Sequence, residues 1–345
     1  MRRPTFAVAP SLLVAALLQA CTPGGGSLDL LAEAPTALRE ATVAGQPRNW
    51  VAEQAGVAFR VKDEVRAALP AGPPSRSVFV ADVPADARLF FAAGIAPEHH
   101  SDPGVEFRVK VARGGREEVV WTRVLNPIAE RGDRRWIPAE VDLSAHAGRG
   151  VEIVFETSGY EETGNPTQAV WGAPTLATPR GDDAPLVVVF LVDSLRADHT
   201  TPYGYERDTT TELMEFTRDG VVFDSAIASA GWTKPSVASI FTSQVPSRHG
   251  VMQIADRLGE DHVTLAEMLK ARGYSTGALI GNAAVHSQGS GYEQGFDVFT
   301  GVPGPHGRRS KVVDAADVVD AALGFIDARR GLPTFVYVHT MDPHI

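Results

Sequence analysis

Apolar and polar residues alternate strictly through "VEFRVKV", with Val105, Phe107, Val109 and Val111 on one face and Glu106, Arg108 and Lys110 on the other. "VEIVF" repeats the pattern with Val151, Ile153 and Phe155, and "SVFVADV" and "ARLFFAA" extend it. A period of two over such lengths predicts half-buried, antiparallel strands. Turn signals at Gly114-Gly115 and Gly132-Asp133 separate them, so residues 75–178 are expected to form an all-β sandwich. Residues 21–74 are read as a tether and an irregular N-terminal region.

The pattern changes after "PRGDDAP", a polar, proline-bounded linker over residues 179–185. "LVVVFLV", Leu186 to Val192, is a continuous apolar run, as expected of a strand buried on both faces of a parallel sheet. "TGALIG" and "FVYVH" look similar. Between them, "TLAEMLKARG" opens on a capping box, Thr264 and Glu267, and stops at Gly273. "VVDAADVVDAALGFIDARRG" predicts a second helix ending at Gly331. Strands alternating with helices argue for a mostly parallel α/β sheet over residues 186–345. Sites in such sheets form beyond the carboxyl ends of the strands.

The chain of 345 residues is 44% hydrophobic and 21% charged, a globular composition long enough for about two domains. Its formal net charge of -10 makes it a poor candidate for binding nucleic acid, because phosphate backbones need a basic face, and the sequence has no GxxxxGK phosphate loop.

The first 20 residues look like a targeting segment. Arg2 and Arg3 precede an apolar run, Phe6 to Leu18, that is too short to span a bilayer comfortably. It ends in "LLQAC", which resembles a bacterial lipoprotein signal cut before Cys21, although Gln19 departs from the usual small residue. Cys21 is the only cysteine in the chain, so it has no internal disulfide partner. A lipidated Cys21 would hold the protein at a membrane surface of the bacterial cell envelope, in the periplasm or at the outer membrane, with "TPGGGS" as a flexible tether.

Candidate chemistry starts at Val192-Asp193-Ser194, where an acid follows the first buried strand. A carboxylate there is well placed as a metal ligand; the structural alternative is that Asp193 or Ser194 caps a following helix.

Two resemblances extend this picture. The run Asp133 to Thr157, followed by "AVWGAPTL", resembles galactose-binding-like jelly-roll modules. That implies a carbohydrate-binding sandwich in which Trp121, Trp136 and Trp171 line a sugar site; a purely structural spacer is the alternative. "VDSLRADHTTPYGY", "TTTELMEFTRDGVVFDSAIA", "SRHGV", "LAEMLKARGYSTGALIGN", "GYEQGFDVF" and "FVYVHTMDPH" resemble, in order and spacing, the sulfatase family of the alkaline phosphatase superfamily.

The second resemblance implies an alkaline-phosphatase-like sheet flanked by helices and a metal-dependent ester hydrolase. The metal would be calcium if the site is sulfatase-like, and zinc or manganese if it is phosphotransferase-like. Sulfatases carry a Cys or Ser before x-Pro-Ser-Arg, and oxidise it to formylglycine. Here "TKPSV" puts Thr233 at that position, followed by Lys234, Pro235 and Ser236, with Val237 in place of the arginine. Oxidising a threonine would give a ketone rather than the aldehyde that formylglycine requires. A metal-bound threonine alkoxide remains, as in related members that transfer phosphoryl groups; a helix N-cap is the structural alternative for Thr233.

By the same resemblance Asp193 and Thr233 are metal ligands. Lys234, Ser236, Asn282 and His344 are substrate-binding residues. Asn282 falls near the family's lysine in Gly-Lys-x-x-His, and His344 matches a histidine that contacts the sulfuryl or phosphoryl group. His199 and His249 are read as structural. An Asp followed by Asn or His is expected downstream in family order, so the catalytic domain is expected to be incomplete at its C-terminus. The expected substrates are sulfated or phosphorylated small molecules or glycans, split by hydrolysis or by phosphodiester cleavage and transfer. The competing expectation is a non-catalytic glycan-binding lipoprotein.

Overall fold

The computed structural model describes residues 27–159, 168–287, 289–302 and 313–344. The signal segment and Cys21 lie outside the described residues. No described helix is long and apolar enough to cross a membrane.

Twelve strands build the N-terminal part among the described residues. They are β1 (Ser27–Asp29), β2 (Leu38–Val43), β3 (Gln46–Pro47), β4 (Val57–Val61), β5 (Glu64–Pro70) and β6 (Ser75–Val83), then β7 (Arg88–Ile95), β8 (Val105–Arg113), β9 (Arg116–Leu125), β10 (Ile137–Asp142), β11 (Gly148–Gly159) and β12 (Ala169–Ala177). One antiparallel sheet runs β3-β2-β6-β11-β8-β9. The facing strands run β10-β7-β12-β5, with β1 on β12 and β4 on β5. The alternation in β8 and β11 points Val105, Phe107, Val109, Val151, Ile153 and Phe155 into one core. This is the jelly-roll sandwich.

Residues 27–74 are not the irregular segment that was expected. They supply five strands to the two sheets, so a fragment cut at residue 75 would lose strands from both. Short strands of this kind carry little period of their own and are defined by their partners. Trp171 and Trp136 are 1% and 3% exposed and lie in hydrophobic clusters, and Trp121 packs edge-on to Phe91 at 5.0 Å. Burial in the core explains Trp171 and Trp136, and Trp121 is partly buried against that core.

Four parallel strands follow: β13 (Leu186–Val192), β14 (Ser275–Ile280), β15 (Val298–Gly301) and β16 (Thr334–Thr340). Their order is β15-β14-β16-β13, and β15 pairs antiparallel with β5 through Phe299 opposite Val65. The α/β sheet and half of the sandwich therefore form one continuous sheet. β14 and β16 are buried along their whole length, as their apolar runs predict. β13 is different. Leu186, Val188 and Phe190 are each 45% or more exposed, because β13 ends the sheet and no described element covers that face.

Three helices matter for the site: α1 (Thr233–Thr242), α2 (Leu265–Lys270) and α3 (Ala315–Asp327). Helix α2 has the predicted capping box. The Glu267 N–H donates to Thr264 Oγ1 (3.2 Å), and the Thr264 N–H donates to Glu267 (2.7 Å). Thr264→Ala is expected to lower stability by about 1 kcal/mol in a urea titration. An unchanged midpoint would show the cap to be idle.

Candidate active site

Three neighbouring parallel strands end at one point. The Asp193 N–H follows β13 and donates to the Thr340 carbonyl (2.9 Å), continuing the ladder. His339 lies opposite Leu191 on β16. Asn282 lies just past β14, where the Gly281 N–H donates to the His339 carbonyl (2.8 Å). A Cβ on Gly281 would sit 3.1 Å from that carbonyl, so the glycine permits the close approach. Ser194 holds φ of 61°, a left-handed conformation uncommon for a non-glycine residue and often found at functional sites.

Helix α1 brings the fourth residue. Its buried stripe of Val237, Ala238 and Phe241 packs on the sheet, with Phe241 4.8 Å edge-on to Tyr337. Its first residue, Thr233, then points at the strand ends. Trp232 is the N-cap and makes no side-chain cap bond, so the Thr233 hydroxyl is not spent on capping. Asp193 and Ser194 cap no helix either, because the next element is a short turn that Arg196 precedes.

The Asp193 carboxylate is the hub. Its Oδ2 accepts from Thr233 Oγ1 (3.0 Å) and Asn282 Nδ2 (2.8 Å), and meets His339 Nε2 at 3.2 Å. Its Oδ1 accepts from Ser194 Oγ (3.2 Å). Burial pushes this carboxyl up, but the hydrogen bonds from Thr233, His339 and Asn282 together hold it below the usual carboxylate range. Burial pushes the His339 imidazole down against the pull of Asp193, so it is neutral at pH 7. Tyr337 stands two residues before His339 on the same face of β16, and burial keeps its phenol protonated. Its hydroxyl lies 3.0 Å from His339 Nδ1. The network assigns the tautomer: the phenol donates to Nδ1, and Nε2–H donates to Asp193.

Sequence reasoning singled out Asp193, Thr233 and Asn282, and these three meet. It missed His339 and Tyr337. Both sit in "FVYVHT", and two polar groups at i and i+2 inside an otherwise apolar strand were the available signal. Lys234 and Ser236 turn elsewhere. Lys234 is buried, and its ammonium donates to the carbonyls of Ile254 (2.7 Å) and Asp256. Ser236 Oγ donates to the Ala230 carbonyl (2.8 Å). Lys234 is rotated about 100° from Thr233 around the helix and faces other ground, while Ser236, one turn on, has its hydroxyl taken up by that carbonyl. His344 is exposed in the turn after β16 and is not among the partners of Asp193. His249 is buried and accepts from the Val251 N–H at Nδ1 (3.1 Å), which leaves Nε2–H for Ser239. His199 lies beside Asp198 on the surface.

A divalent metal, which the resemblance implies, would need more ligands than these residues offer. No three His, Cys, Asp or Glu side chains gather into a cation site among the described residues. Asp193 brings one carboxylate, and its Oδ2 already meets three donors. Calcium takes six to eight oxygens. The described residues do not by themselves fit such an ion.

Residues 185–345 match the sequence model of the Sulfatase family. This region is a sulfatase-family domain. Among curated proteins, the sulfatase domain's relatives include arylsulfatase A of Bos taurus, 32% identical over 151 residues, which is 40% of this chain and 30% of that protein. Steryl-sulfatase of Mus musculus is 31% identical over 38% of this chain and 23% of its own length. The chain spans about a third or less of the curated relatives it matches. The solved structure of BT4656 in complex with its substrate D-glucosamine-2-N,6-O-disulfate aligns at TM-score 0.41 and 22% identity, over 47% of this chain and 35% of that one.

Proposed function

We propose that the sulfatase domain carries the ester-cleaving centre of a sulfate or phosphate ester hydrolase, with Thr233 as nucleophile. One observation carries this: the Thr233 hydroxyl donates to a half-buried carboxylate at 3.0 Å, where three parallel strands end beside a helix N-terminus. Held low, Asp193 orients the hydroxyl and accepts its proton only as the new bond forms. The threonine oxygen attacks sulfur or phosphorus, and the ester oxygen leaves and takes a proton from solvent. Water then attacks that sulfur or phosphorus and gives up a proton to solvent, while the bond to the threonine oxygen breaks and this oxygen takes back the proton held by Asp193. Asn282 and His339 are positioning residues that fix the carboxylate, and Tyr337 fixes His339.

Two observations pull the substrate in different directions. The names of the relatives favour sulfate esters. The secondary alcohol of Thr233 favours phosphorus, because formylglycine can eliminate sulfate from its diol and threonine has no such exit. We expect a phosphodiester to be cleaved about 10-fold faster than the matched sulfate ester, a gap of roughly 1.4 kcal/mol. The test is paired kinetics on aryl sulfate and aryl phosphodiester, with calcium, zinc or manganese added in turn, for the wild type and Thr233→Ala. Faster sulfate cleavage by the wild type overturns the preference. Equal turnover by Thr233→Ala removes the nucleophile. Glycan binding that survives Thr233→Ala, with no turnover of either ester by the wild type, would favour a binding protein instead.

For location we propose a lipidated Cys21 that anchors the chain to the cell envelope, supported by "LLQAC" and the single cysteine. Cys21→Ser is expected to release the protein from membranes or leave an uncleaved precursor. Unchanged fractionation and processing would count against the anchor.

A further inference from the structure

A cavity of about 190 Å³ opens where the sandwich meets the α/β sheet. Two arginines line it. Arg66, on β5, has a side chain only 8% exposed. Its Nε donates to Glu64, and its guanidinium lies 5.8 Å from the centre of the Trp136 ring. Its two terminal nitrogens meet no protein acceptor among the described residues. Arg329 follows α3. Its Nε donates to Ser275 Oγ (2.7 Å), and its guanidinium carbon sits 3.7 Å from the centre of the Phe325 ring. Its Nη2 meets no acceptor among the described residues. Burial, and next the charge of Arg66, push the Arg329 guanidinium down to about 10.

Asp297, Glu64 and Glu140 attract Arg329 through space, but less than burial and Arg66 push it down, and each of these acids already holds another base. Glu64 holds Arg66, Asp297 holds Lys270 at 2.9 Å, and Glu140 at the exposed mouth holds Arg88 at 2.9 Å. Two guanidiniums sharing one pocket repel each other, and bringing them together is costly unless an anion lies between them. Arginine forks match the oxygens of sulfate, phosphate and carboxylate. Phe91, Ala139 and Leu332 close the apolar side.

We propose that this cavity is a second, non-catalytic oxyanion site, in which a sulfate, phosphate or carboxylate group, free or carried on a small molecule, sits between Arg66 and Arg329. It lies at the amino ends of the parallel strands, where Ser275 opens β14. The Asp193 cluster lies at their carboxyl ends, roughly 20 Å away at about 3.3 Å per residue.

The test is equilibrium dialysis of the full chain with labelled inorganic sulfate at fixed ionic strength. Wild type is expected to bind saturably, and Thr233→Ala equally well. Arg329→Gln is expected to weaken binding about 10-fold or more, the loss of one charge-assisted contact. Arg329→Lys keeps the charge without the fork, so it decides the matter if the glutamine variant does not fold; it too should bind more weakly. Competition by glucose 6-sulfate would place an ester group in the same pocket, and binding of sulfate alone would assign it to the free ion. Three results overturn the proposal: no saturable binding by wild type, loss of binding in Thr233→Ala, or unchanged affinity in Arg329→Lys.

Discussion

Asp193→Ala is expected to lower stability by about 3 kcal/mol and to abolish turnover. The substitution strands the three donors to Oδ2, the Thr233 hydroxyl, the Asn282 amide and the His339 Nε2–H, while the exposed Ser194 hydroxyl can turn to water. Each buried donor left without a partner costs about 1–3 kcal/mol, and neighbours in one network do not add in full. Asp193→Asn keeps an acceptor oxygen but loses the charge that strengthens all three bonds, so about half of the loss is expected. Urea unfolding of both variants beside the wild type measures this. Equal midpoints for alanine and wild type would show that the hub holds nothing.

The same carboxylate predicts a pH effect. Its folded pKa is depressed below 3.8, so its contribution is complete above 3.8 and is lost as pH falls through the lower, folded value. In Asp193→Ala that acid-side loss should shrink.

Lys270→Met is expected to cost about 3–5 kcal/mol, the cost of leaving buried charge uncompensated. Lys270 lies in the last turn of α2, and its ammonium bridges Asp29 (2.8 Å) and Asp297 (2.9 Å). Asp29 belongs to β1, which pairs with β12 of the sandwich, while Asp297 directly precedes β15. The triad therefore clamps the sandwich to the α/β sheet beside the β5–β15 seam. Adding Asp297→Asn should recover part of the loss, because the stranded carboxylate is then neutral. Thermal unfolding of the single and double variants reads this directly. A double variant that is weaker still would refute the explanation.

The pH signs are opposite for the two partners. Burial pushes the Lys270 pKa down, but Asp297 and Asp29 raise it further, so its stabilisation is present below 10.5 and is lost as pH rises through the folded value. Burial raises the Asp297 pKa, and Lys270, then the Thr276 N–H, lower it more. Its stabilisation is present above 3.8 and is lost as pH falls through the folded value. The clamp should hold flat between these limits.

Much of this was legible in the chain itself. Period-two alternation determined β8 and β11, because a sheet with one buried face forces every second residue inward. Thr264 and Glu267 determined where α2 begins, because a capping box is local chemistry. The apolar runs of β14 and β16 determined strands buried on both faces. Asp193 at a strand end and Thr233 before a helical run marked the site. Other features belong to tertiary structure alone. The strands within residues 27–74 exist because β6 and β12 offer them edges, and β13 is half-exposed because nothing described covers it. Lys234 sits next to Thr233 in the chain and yet faces away, since direction around a helix is set by what the helix packs on. The three bonds to Asp193 Oδ2 span 40, 89 and 146 residues of sequence. No local pattern encodes a partner at such distances. Residue types and spacing determined which groups were available, and only the meeting of three strand ends and a helix decided which of them touch.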